Sequence, residues 1–174
     1  EKGVIKDYLA PYPGMYDTDS HKAFRDYFTS YFNAIRIGEY TANWSDGIKS
    51  DGNSFSTFVG SDGTAYVFRL LPNNCESSFG SYSDKIPVCG EIFVDLYSGQ
   101  SESWSSNAKN RVVGKNVFMF HVRKDKIIPA GIPADDTLEC YTNKYACTQW
   151  VLLNENMDYL HCSDLSWNGK RKCK

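Results

Sequence analysis

The chain has 174 residues, 41% of them hydrophobic, and a formal charge of −2 from 19 basic and 21 acidic side chains. That length suits a single domain, residues 1–174, with enough apolar material for a core. The near balance of charge excludes the electrostatic footprint of a nucleic-acid binder, and no polybasic run marks a membrane-surface segment. The cluster Lys170, Arg171, Lys172 and Lys174 reads as a solvated tail.

The opening Glu1-Lys2-Gly3-Val4-Ile5-Lys6 reads as the interior of a longer chain, with a leader or membrane segment removed ahead of it. Val4–Leu9 is a short helical turn broken at Pro11 and Pro13. Next comes the clearest periodic element, Ser20–Ile37. Phe24, Tyr27, Phe28, Tyr31, Phe32 and Ile35 recur at helical spacing, with Lys22, Arg25, Asp26, Ser30 and Asn33 opposite. Asp19 or Ser20 caps this predicted helix, Gly38 ends it, and its aromatic stripe faces the core.

Trp44–Asn53 is rich in Gly, Asp and Ser and reads as loop. Phe55–Val59 and Thr64–Leu71 flank Asp62-Gly63 and form a predicted hairpin, the Asp-Gly pair supplying positive φ. Along the second arm Tyr66, Phe68 and Leu70 share one face, Ala65, Val67 and Arg69 the other. A polar excursion over 71–87 carries Cys75. Glu91–Tyr97 and Val117–Arg123 are strands, Ile92, Val94 and Leu96 sharing a face of the first; 98–115 between them is a polar loop. A turn at Asp125-Lys126 leads to Ile127-Ile128-Pro129, and Ala146–Asn154 is a short helix or extended segment. With 12 Tyr, 10 Phe and 4 Trp the composition favours sheet. One helix followed by successive strands, without βαβ alternation, predicts an α+β fold: an antiparallel sheet with a helix on one face, its edges managed by disulfide-tied loops.

Cys75, Cys89, Cys140, Cys147, Cys162 and Cys173 form no Cys-x-x-Cys pair, and no histidine stands at zinc-ligand spacing from them. Their even number in short polar loops fits disulfides and an oxidising compartment, against the alternative of buried free thiols. Six cysteines allow 15 pairings among which sequence does not choose. Closure on nearest neighbours (75–89, 140–147, 162–173) is the working expectation.

His21, His121 and His161 are the natural general bases, and none stands in a pattern with a nucleophile. There is no Gly-x-Ser-x-Gly elbow, no His-Glu-x-x-His pair and no phosphate or dinucleotide loop. No catalytic set is expected, and a hydrolase reading would require a deep polar cleft around His121 or His161. Asp95, Glu102 and the backbone of 98–103 are the one candidate oxygen set for calcium. Asn43-Trp44-Ser45 fits a glycosylation acceptor and is taken as unmodified. Trp44, Tyr82, Trp104 and Trp167 are candidate stacking residues for a secreted or pilus-tip adhesin that binds carbohydrate or a partner surface.

Two stretches carry a family resemblance. Gly90-Glu91-Ile92-Phe93-Val94-Asp95, then Gly114-Lys115-Asn116-Val117-Phe118-Met119-Phe120 and Ile127-Ile128-Pro129-Ala130-Gly131, is one. Cys147-Thr148-Gln149-Trp150-Val151-Leu152-Leu153-Asn154-Glu155-Asn156-Met157-Asp158-Tyr159-Leu160 is the other. Together they cover under half the chain, and they resemble the C-terminal region of type IV pilins and type II secretion pseudopilins. Asn116 stands where that family often has Asp, and Leu96-Tyr97 replaces its usual short turn, which weakens the calcium reading.

The resemblance implies a pilin-like fold, with a helical spine laid against an antiparallel sheet and a disulfide-tied C-terminal loop region. Val4–Leu9 would end the family's long apolar helix. It further implies a non-enzymatic filament subunit, exported to the bacterial cell surface or periplasm and anchored in the inner membrane before assembly. Its partners would be other pilin or pseudopilin subunits, packed by heterologous helical symmetry, with the membrane met only through the N-terminal helix.

Overall fold

A computed structural model describes residues 11–12, 17–43, 49–71, 75, 87–96, 111–131 and 138–174. The first regular element is helix α1, Thr18–Thr29. Its cap is Asp17, two residues before Asp19 and three before Ser20: the Asp17 carboxylate accepts from the Ser20 N–H at 2.8 Å and from the Ser20 hydroxyl at 2.6 Å. These bonds hold the Asp17 carboxyl below the usual carboxylate range.

The helix expected over Ser20–Ile37 stops at Thr29, and its last four residues, Ala34–Ile37, are strand. The turn Ser30–Asn33 follows, and Ala34–Asn43 is strand β1. Only Phe24 and Phe28 of the predicted stripe are fully buried; Tyr31 is 75% and Ile35 66% exposed. The cause lies in the residues. So many aromatic and aliphatic side chains satisfy the 3.6-residue period by density alone, while Ile35 and Ile37 alternate as a strand does and Ile37 gains a cross-strand partner in Phe58.

Strands β2 (Lys49–Gly60), β3 (Ala65–Leu70), β4 (Gly90–Asp95), β5 (Val117–Val122) and β6 (Ile127–Pro129) follow. They pair in chain order, β1-β2-β3-β4-β5-β6, every neighbour antiparallel. β2 begins at Lys49, so the Gly- and Ser-rich run through Asn53 is strand and not loop. Asn43 opposes Lys49, and pairing outweighs weak strand propensity there. The β2–β3 turn forms where Asp62-Gly63 predicts it, by another route. The Gly63 N–H reaches the Gly60 carbonyl, Gly63 alone has positive φ (82°), and Thr64 N–H bonds the Asp62 carboxylate. This is a three-residue loop closed by a left-handed glycine.

Register divides the sheet into two faces. Phe58, Tyr66, Val94 and Phe118 align across four strands, as do Phe68, Ile92 and Phe120, then Leu70, Gly90 and Val122. These rows meet α1: Phe24 lies edge-on to Phe68 at 5.8 Å, and Phe28 stacks on Phe68 at 5.7 Å. His21, fully buried, accepts the Leu70 N–H on Nδ1 at 3.0 Å and ties the helix to β3. Cys75–Cys89 closes beside this core. Each large side chain buried here contributes about 1.5–3 kcal/mol.

The opposite face carries Val67, Phe93 and Met119, packed under Tyr145 and Ala130. The C-terminal segment builds its own core there: Leu138, Cys140, Cys147, Trp150, Tyr159, Leu165 and Trp167. Ala146–Asn154 resolves as helix α2, Cys147–Asn154. The Thr148 hydroxyl takes the Met119 N–H at 3.0 Å and the Gln149 N–H reaches the Ala130 carbonyl, so α2 seals the β5–β6 edge where β6 runs out. Gly131 makes this approach feasible, with φ 93° and no room for a Cβ against the Ala146 carbonyl. The fold is thus α+β with an antiparallel sheet and three disulfides. Leu96, expected to continue the face of Ile92 and Val94, falls just beyond β4 and is exposed. Val4–Leu9 lies outside the described residues.

Candidate functional site

The three disulfides are Cys75–Cys89, Cys140–Cys147 and Cys162–Cys173, the nearest-neighbour set. They fit an oxidising extracellular or periplasmic compartment. Among the described residues no helix is long and apolar enough to cross a membrane.

Sequence reasoning missed the electrostatics of the sheet face beneath the C-terminal segment. Arg69, Glu91 and His121 form one cross-strand row there, all buried, with Arg69 Nε 3.3 Å from Glu91 Oε2. Two rungs away lies Asp95, fully buried, whose Oδ2 accepts from Arg111 Nε at 2.7 Å. Alternation had put Arg69 on the face of Ala65 and Val67, and the same rule applied to β4 would have placed Glu91 and Asp95 beside it. Arg111 carries no such signal, because it arrives from the loop before β5.

This arrangement bears on the calcium expectation. Asp95 is committed to a guanidinium, which a dication would have to displace. Glu102 lies outside the described residues. Among those described, no three His, Cys, Asp or Glu side chains converge to hold a metal. His121 is packed in the sheet and His161 is exposed on the turn before Cys162; the two are not brought together with a nucleophile among the described residues. Of the candidate stacking residues, Trp167 is a correction: it is buried, 5.2 Å from Trp150, because the Cys162–Cys173 loop folds it into the core. Trp44, Tyr82 and Trp104 lie outside the described residues.

The run Asn154–Tyr159, singled out by resemblance, acts as a lock. Glu155 takes the left-handed conformation that ends α2. The Asn156 carbonyl accepts from Trp150 Nε1 at 3.1 Å and from the Asp158 N–H at 3.1 Å, while its amide donates to the carbonyls of Asn154 and Arg171. The Asp158 carboxylate accepts the Cys173 N–H at 2.6 Å, and the Tyr159 hydroxyl donates to the Gly114 carbonyl. Burial raises the Tyr159 phenol to about 12.

Among the described residues, large apolar side chains are exposed at both edges of the sheet, besides Leu96 just after β4, Val112 before β5 and Ile127 in β6. Beside β1 stand Tyr31, Phe32, Ile35 and Ile37. On and after α2 stand Leu152, Leu153, Met157 and Leu160. Among the described residues β1 pairs on one side only, with β2. Large side chains grouped this way are the usual mark of a protein–protein contact surface.

Set against known protein families, curated proteins and solved structures, the chain has no match.

Proposed function

We propose that this chain is the head of a filament subunit of the type IV pilus or type II secretion pseudopilus kind, exported and anchored in the inner membrane before assembly. The observation that carries the reading is the presence of exposed apolar side chains at both edges of the sheet. A subunit of a polymer needs two contact surfaces, and a monomeric module needs neither. The helix laid on one face, the disulfide-tied segment on the other, and the Gly90–Asp95 and Cys147–Leu160 motifs support the same conclusion. On this reading the chain works by packing beside other subunits and transforms no substrate.

The test is the unprocessed N-terminal sequence of the gene. A short leader followed by a long apolar helix leading into Glu1 is the expected result. An ordinary cleaved signal peptide in its place overturns the proposal.

A further inference from the structure

We infer that the Cys162–Cys173 bridge is a redox latch, opened by an external dithiol while the other two disulfides stay closed, and that opening it frees the C-terminal tail from Trp150. Burial separates the three pairs. Cys140 and Cys147 are 0% exposed, Cys89 1% and Cys75 7%, all inside packed clusters. Cys162, on the turn after Leu160, and Cys173, in the basic tail, are only half-buried. Thiol–disulfide exchange requires a thiolate to reach a sulfur, so access decides which bridge reacts first.

Charge assists at the same place. Lys172 and Lys174 flank Cys173 in sequence and are exposed, as is Arg171; cations beside a disulfide draw in the attacking thiolate. Asp158 offsets part of this, its carboxylate taking the Cys173 N–H at 2.6 Å and its carbonyl oxygen lying 3.3 Å from Cys173 Sγ. Cys162 packs against the cluster around Trp150, which leaves Cys173 as the sulfur attacked. The external thiolate bonds to Cys173 Sγ and the Sγ–Sγ bond breaks, Cys162 leaving as a thiolate that takes up a proton. The reductant's second thiolate then attacks its own sulfur in the mixed disulfide and releases Cys173 as a thiol. The dithiol is oxidised by two electrons, and the two cysteines are reduced.

The bonds that cross the latch show what it holds. The loop it closes carries Leu165 and Trp167, both buried, with Trp167 edge-on to Trp150 at 5.2 Å. The Tyr141 hydroxyl accepts the Leu165 N–H and donates to the Cys162 carbonyl, and the Asn156 amide reaches the Arg171 carbonyl. Without its cross-link the loop regains chain entropy, and both indoles gain water. Cys140–Cys147 and the Thr148–Met119 bond that fixes α2 to β5 do not pass through this loop, so the rest of the fold outlasts its opening.

The experiment treats the folded chain with rising dithiothreitol, traps thiols with N-ethylmaleimide before any denaturation, and maps the label by peptide mass while tryptophan emission is followed. Cys162 and Cys173 take label about 10-fold or more faster than the other four cysteines, and emission moves to the red in step with them. The variant carrying both Cys162→Ser and Cys173→Ser shows the red-shifted emission without reductant, its other two bridges intact. Should that variant fail to fold, the trapping on the unaltered chain decides alone. Label that reaches Cys75, Cys89, Cys140 or Cys147 as fast, reduction of Cys162–Cys173 that leaves emission unmoved, or a folded double variant with the parent's emission each overturns the inference.

Discussion

Replacing Arg111 by methionine is the most informative single change beside the sheet, because it takes the guanidinium away from a carboxylate with no exposure to water. At 2.7 Å, and with an effective dielectric near 20, the Arg111–Asp95 attraction is on the order of 6 kcal/mol. Burying the two ions costs several kcal/mol each, so the intact pair contributes little net stability. Removing only the cation abolishes the attraction and leaves the cost. Arg111→Met should therefore destabilise by about 3–5 kcal/mol. With a urea slope near 2 kcal/mol per molar, the midpoint falls by about 2 M. Asp95→Leu combined with Arg111→Met removes both ions and should cost less than Arg111→Met alone. Urea unfolding followed by tryptophan fluorescence reads both. A single variant within about 1 kcal/mol of the parent, or a double variant that costs the sum of its parts, refutes the reasoning. The same titration in millimolar calcium should leave the parent midpoint unchanged, whereas a rise would assign Asp95 to a cation instead.

Tyr159→Phe should change the alkaline limit. The phenol is raised to about 12 from 10.0, so it stabilises the fold fully below pH 10, and that contribution, about 2–3 kcal/mol, is lost as pH rises from 10 to 12. The Phe variant, slightly less stable at neutral pH for want of the Gly114 bond, should lose less over that interval; parallel curves for parent and variant would count against the assignment. Asn156→Ala should cost about 2–4 kcal/mol in urea, because the Trp150 indole N–H and the Asp158 N–H lose their acceptor together. Its tryptophan emission should shift before the main transition, and a loss below 1 kcal/mol would show that the lock is dispensable.

The strands were legible where turn chemistry and alternation agree. Gly63 marks the β2–β3 turn, and Phe68 and Val67 sort to opposite faces by the period of two. β1 was not legible, because Tyr31, Phe32 and Ile35 fit the helical period as well as the strand period, and only partnership with β2 separates the two. The beginning of β2 was hidden for a related reason. Gly52 and Asn53 disfavour strand locally, and nothing nearby in sequence shows that 34–43 waits opposite. Secondary structure made by pairing is a non-local property, and a window of residues does not contain it.

The candidate site follows the same logic one level up. Arg69, Glu91 and Asp95 each sit in register with a face that sequence can assign, yet their ion pairs depend on strand neighbours and on a loop residue, Arg111, that no period places. The exposed surfaces are harder still. Ile35 and Leu153 look in sequence like any core residues, yet hydrophobic character at Tyr31 and Ile35 does not place them inside. Side chains that the pattern sends to the core and the fold leaves in water conflict between two levels of description. Where they gather, the conflict marks a candidate contact surface, which the proposed filament reading assigns to neighbouring subunits.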